Sequence, residues 1–184
     1  ESIARRLYKA LGELMGAKGQ PLEPGRVQTW REDVSVARRD TRSVGTLSEI
    51  QNRLQKEVAS YSGRDPHLGP GFELLETSEE RHVAEMPEQF DISCHAIRFG
   101  GLLLVGIGGE IFTVFGNRLI DSWRAMTVLP VGITHGWAGY LPPSEAFEQG
   151  GYEVCTARWC PIRPGESERL FLLVEARVRA IIGD

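Results

Sequence analysis

Residues 102–107, LLLVGI, are a short unbroken apolar run that ends against the glycines of GIGGE. The run has strand length rather than helix length, and apolar side chains on both sides of the backbone suit a strand buried within a sheet. The period then changes: Phe112, Phe115, Leu119 and Trp123 share one face of a predicted helix over 110–123, and residues 126–133 read as a second buried strand. Strand, glycine turn, helix and strand hide their apolar surface only when stacked in layers. The predicted fold class is therefore α/β (α+β), a mixed β-sheet covered by helices.

The remaining segments fit that frame. Behind Ser2 as N-cap, Ile3, Ala4, Leu7, Ala10, Leu11, Leu14 and Met15 recur at helical spacing, which predicts a helix over 2–16 with one buried stripe, stopped by Gly16 and Gly19. Val27, Trp30, Val34 and Val36 mark a strand over 27–36. Thr46 and Glu49 form a Thr-x-x-Glu capping box ahead of a helix over 47–60. SGRDPHLGPGF, residues 62–72, reads as an exposed loop followed by a polar segment. Residues 90–98 alternate as a strand, and residues 167–182 close the chain as an amphipathic helix. Neither an internal repeat nor a linker divides the sequence, so residues 1–184 are read as a single unit.

Composition removes several classes of function. At 184 residues, with 41% hydrophobic and 25% charged side chains, the chain has the make-up of a globular domain with a core of its own. A net charge of -4 leaves no basic footprint for nucleic acid. The longest apolar run falls far short of a bilayer span, which predicts no transmembrane segment. Glu1 opens directly onto the first helix without Met or a leader, as in a processed chain or a fragment. The odd count of cysteines, Cys94, Cys155 and Cys160, points to mostly free thiols.

Two places carry side chains suited to chemistry. In GIGGEIF, residues 106–112, Glu110 follows a strand end and a glycine turn. Its ordinary role would be to complement a helix macrodipole from the first turn. Its functional role would be that of a metal ligand or general base at the carboxyl end of a strand, where ligands of helix-covered sheets gather. In LPVGITHGWAGYLP a second strand end brings His135, Trp137 and Tyr140 toward the same rim, provided the two strands are neighbours. The alternative is a Gly- and Pro-rich turn whose aromatics pack on the core edge. Cys155 and Cys160 form one C-x4-C pair without a second and are read as structural. His67 and His82 are read as solvated, and His95 as a satisfied strand histidine.

LLLVGIGGEIFTVFGNRL followed by VGITHGWAGYLPPSEAFEQGGYEV, within residues 97–154, resembles the neutral/alkaline non-lysosomal ceramidase family. Members carry a P-G-E segment at a strand end, then a helix, a strand, an N-x-Y-x-x-Y segment and a Y-E pair. The resemblance implies a catalytic zinc held by two histidines, the glutamate of P-G-E and the last tyrosine of N-x-Y-x-x-Y. Carried over by position, the last two are Glu110 and Tyr140, with His135 as a contact to substrate or to a ligand. His135 stands here where the family usually has Asn, Trp137 at the first tyrosine, and Pro143 where Thr is usual.

The family's two zinc histidines lie in an N-terminal half that has its own T-H-T-H-like and G-A-A-G-D segments, and neither segment is found in this sequence. The chain therefore resembles the C-terminal half of a larger layered catalytic domain, with the histidines supplied by a second polypeptide or by an N-terminal half. The implied reaction is hydrolysis of an N-acyl amide, lipid-linked or not, by a metal-activated water. The alternative is a noncatalytic subunit or binding domain that keeps the fold without the metal.

Overall fold

Two long strands with alternating burial form the backbone of the sheet. The computed structural model describes residues 2–19, 21–22, 24–63 and 69–182. Strand β1 (Val27–Ala37) runs antiparallel to β2 (Gln89–Phe99), with Val27 opposite Phe99 and Ala37 opposite Gln89. β2 turns at Gly100 and Gly101 into β3 (Leu102–Ile107), also antiparallel. A two-residue strand β4 (Glu110–Ile111) and the helix over Thr113–Ser122 lead back to a strand over Thr127–Val131 that pairs with β3 in parallel. In chain order the helices are α1 (Ile3–Gly16), α2 (Val44–Ser60), α3 (Pro70–Glu85), α4 (Thr113–Ser122), α5 (Ser144–Gln149) and α6 (Glu166–Ile182); the strand over Thr127–Val131 is β5. The four-stranded sheet has the order β1-β2-β3-β5, and β4 pairs with β6 (Tyr140–Leu141) in a separate two-stranded ribbon.

The sheet is mixed and helix-packed, as its sequence periods predict, but the helices that pack on it, α4 and α6, take one face. Val34, Val36, Ile92, Cys94, Leu103, Val105 and Ile107 point into a core completed by Phe115 and Leu119 of α4 and by Leu170, Phe171, Val174 and Val178 of α6. Phe115 and Phe171 stack with centroids 4.3 Å apart. At the rim of this layer Arg118 of α4 makes a two-pronged bond to Glu175 of α6, at 2.7 and 2.8 Å. Arg177 of α6 pairs with Glu32 of β1 at 2.9 Å. The opposite face leaves Val27, Ile97, Phe99, Leu129 and Val131 exposed.

Four elements depart from expectation. Helix α1 forms behind its Ser2 cap, but none of its residues is buried, so its apolar stripe has no cover among the described residues. Helix α2 starts at Val44 because Ser43 Oγ accepts from the Thr46 amide at 3.1 Å, ahead of the Thr-x-x-Glu box. Helix α3 replaces the end of the expected loop and the polar segment after it. Pro70 suits a first helical turn, where its missing N–H is no loss. The inward residues of α3 include Thr77 and Glu79 as well as Val83, so its buried face shows no clean apolar period. His67 lies outside the described residues. Finally, the helix expected over 110–123 begins only at Thr113, because Glu110 and Ile111 are drawn into pairing with Tyr140 and Leu141. Among the described residues no helix is long and apolar enough to cross a membrane.

Candidate functional site

The carboxyl ends of β3 and β5 lie side by side, and the segments leaving them are tied together by backbone hydrogen bonds. The amides of Ile133, Thr134 and Ala138 donate to the carbonyls of Gly109, Ile107 and Gly108 at 3.0, 3.1 and 2.7 Å, and Glu110 N–H donates to the Gly139 carbonyl at 2.8 Å. Close approach explains two of the glycines. A Cβ on Gly109 would lie 2.9 Å from the Leu141 side chain and 3.0 Å from the Gly139 carbonyl oxygen. Gly139 has φ +85°, and a side chain there would strike the Trp159 backbone. The result is the β4–β6 ribbon, in which Glu110 is the direct register partner of Tyr140.

Glu110 is thus a strand residue, and the macrodipole role does not apply because α4 begins beyond it, with Phe112 in the capping position. Trp137 Nε1 donates to Glu110 Oε1 at 3.0 Å. Partial desolvation raises the Tyr140 phenol above its ordinary pKa, the Glu110 charge adds to the shift, and a hydrogen bond with Glu110 acts in the same direction. These effects favour the protonated phenol. Phe112 and Tyr152 set their rings edge-on to Tyr140, with centroids 6.5 and 6.3 Å away. Tyr152 in turn stacks on Trp159 at 4.8 Å.

His135 sits on the other side of the loop. Its φ of 57° is left-handed, and its ring meets His95 edge-on at 4.4 Å. His95 is the residue that sequence reasoning passed over as satisfied. Its Nδ1 is buried without a hydrogen-bond partner, and burial, together with the neighbouring His135 and Arg31, holds its pKa below the ordinary histidine range. Gly106, its register partner across the sheet, leaves room for the imidazole that a Cβ would fill. A glycine inside an apolar strand was the available signal, but it identifies His95 only once the register is known.

Beside this pair lies a cavity of about 240 Å³ lined by Met86, Phe90, Ser93, His135, Trp137 and Arg158 among others. Arg158 is held there by Glu79, a buried carboxylate, at 2.6 Å. The three cysteines are free, and burial pushes the Cys94 and Cys160 thiols up to about 12 and about 11, which disfavours thiolate chemistry.

The fit to zinc is that of a partial site. Glu110 and Tyr140 present two oxygen donors in register, but no group of three or more His, Cys, Asp or Glu side chains gathers among the described residues. Tetrahedral zinc would need its other donors from beyond this cluster.

Solved structures similar to this chain include ceramidases. One is neutral ceramidase from Pseudomonas aeruginosa, at TM-score 0.47 and 19% identity over 85% of this chain and 29% of that chain. Another is a ceramidase complexed with C2, at TM-score 0.45 and 16% identity over 85% of this chain and 30% of that chain. The present chain spans less than a third of either. No family model and no curated protein matches its sequence.

Proposed function

We propose that the chain is part of a zinc-dependent amide hydrolase of the neutral ceramidase type, in which Glu110 and Tyr140 are ligands and a companion half supplies histidines. The observation that carries this reading is the direct pairing of Glu110 with Tyr140 across the β4–β6 ribbon. Residues thirty positions apart are brought together by backbone ties whose glycine requirements match the ligand positions implied by the sequence resemblance. The uncovered apolar face of the sheet supports a companion polypeptide segment, since large exposed apolar patches mark interaction surfaces.

A zinc ion held there would acidify a bound water and polarise an amide carbonyl. The chain's own contribution is positional. The ribbon holds the carboxylate and phenol in fixed register, and Trp137 and Tyr152 limit how each can turn. A cation beside Tyr140 would oppose the upward shift that partial desolvation and the Glu110 charge impose, and favour the phenolate. His135, next to the cavity, is assigned the substrate-side contact. The cavity's mixed apolar and polar lining suits the acyl and amide portions of an N-acyl substrate.

Native mass spectrometry of the complete assembly tests the reading. Wild type should carry one zinc together with a longer or second polypeptide, and Glu110→Ala should carry none. Unchanged zinc stoichiometry in Glu110→Ala removes Glu110 as a ligand. A bare wild-type chain without metal supports instead a noncatalytic domain that keeps the fold.

A further inference from the structure

We propose that Trp137 is a positioning residue for Glu110: its indole N–H fixes one carboxylate oxygen and so presets the side chain for a cation. This rests on the reading of Glu110 as a ligand. The bond from Nε1 to Oε1 spans 3.0 Å, within ordinary hydrogen-bond range. The ring that makes it is 52% exposed, so apolar burial alone does not account for placing an indole there.

The loop adopts unfavourable backbone geometry on the way to this contact. Ile133 and His135 both have left-handed φ, 58° and 57°, and for a β-branched residue such as Ile133 that is a steric outlier. Such conformations persist where surrounding contacts over-determine them. Here the amides of Ile133, Thr134 and Ala138 are all tied to the Ile107–Gly109 turn, and the last of these bonds anchors the backbone immediately after Trp137. The same ties that impose the left-handed turns bring the indole back across Glu110. Outer-sphere donors that orient a ligand matter because a freely rotating carboxylate must be ordered at the moment of binding. Their loss typically costs about 10- to 100-fold in metal affinity.

The test removes the N–H and little else. In the complete assembly, Trp137→3-benzothienylalanine keeps a fused aromatic of similar shape but has no donor. Zinc affinity is measured by chelator competition, and the Trp137 Hε1 resonance is followed by NMR with and without Glu110→Ala. The expected results are an Hε1 signal that moves upfield when Glu110 is removed, and a zinc affinity lowered about 10-fold or more by the analogue. An unmoved Hε1 signal overturns the proposal whatever the metal content. Wild-type zinc affinity in the analogue overturns positioning while leaving Glu110 as a ligand. A wild-type assembly that binds no zinc overturns the ligand reading and this proposal together.

Discussion

The two faces of the central sheet differ more than its alternating sequence suggests. On β2, Ile92, Cys94 and Ala96 point inward and are buried, while Ile97 and Phe99, two residues apart on the other face, are each 40% exposed. The inner face is closed by α4 and α6 with stacked rings and charge-paired rims. The outer face carries apolar side chains toward one end and Asp33 and Asp91 toward the other, with the register pair Arg31 and His95 between them. The inner face is thus a core that stabilises the fold from within the chain, whereas the outer face has the composition of an interface.

The inner face should therefore give the largest response to substitution. Phe171→Ala removes a fully buried ring stacked on Phe115 and should destabilise the chain by about 3–5 kcal/mol, measured by denaturant unfolding. A loss under about 1 kcal/mol would mean that the core can collapse into the space, which would narrow the contrast between the faces.

Next in size is Arg158→Met, which leaves the buried Glu79 carboxylate without its guanidinium and should destabilise the chain by less than Phe171→Ala. Its pH dependence has a definite sign. The bonds from Arg158 hold Glu79 below its ordinary pKa of 4.5 against the opposing effect of burial. The stabilisation is therefore complete above that value and is lost as pH falls through the lower folded-state pKa. Acid titration of stability should show this slope in wild type and lose it in Arg158→Met.

What the sequence made legible follows from the range of each signal. The apolar run of β3 and the helical period of α4 are local, so the strand–turn–helix–strand unit could be read directly. The Glu110–Tyr140 juxtaposition could be anticipated only on the condition that β3 and β5 were neighbours, which their parallel pairing satisfies. The strand state of Glu110 could not be read, because it is imposed by a partner thirty residues away. Helix α3 escaped because Thr77 and Glu79 occupy its inner face and blur the apolar period. The one-sided covering was also hidden. A run such as LLLVGI signals apolar surroundings on both faces without saying which segment provides them.

The loop that joins the faces at their rim gives a smaller effect of opposite sign. Ile133→Gly relieves a left-handed β-branched residue whose side chain is mostly solvent-exposed, so little burial is lost. Weighing the left-handed penalty of about 1–2 kcal/mol against glycine's extra unfolded-state freedom leaves a net stabilisation of about 0.5–1 kcal/mol. A thermal scan showing destabilisation would mean that Ile133 is held by packing.

The smallest effect, and the sharpest discriminator between the faces, belongs to Ile97→Ser. On the outer face the substitution sacrifices little burial, and stability of the chain alone should change by no more than about 0.5 kcal/mol. In the assembly proposed above the same change should weaken association, because a hydroxyl would replace an apolar contact between this face and the proposed companion. Unfolding of the isolated chain and dissociation of the assembly, measured on the same variant, separate the two contributions. A loss above about 2 kcal/mol in the chain alone would place Ile97 among the core-type substitutions and give both faces the same role. A neutral result in both measurements would leave the outer face apolar but unused at this position, and would move the search for the companion's contact toward Leu129 and Val131 on β5.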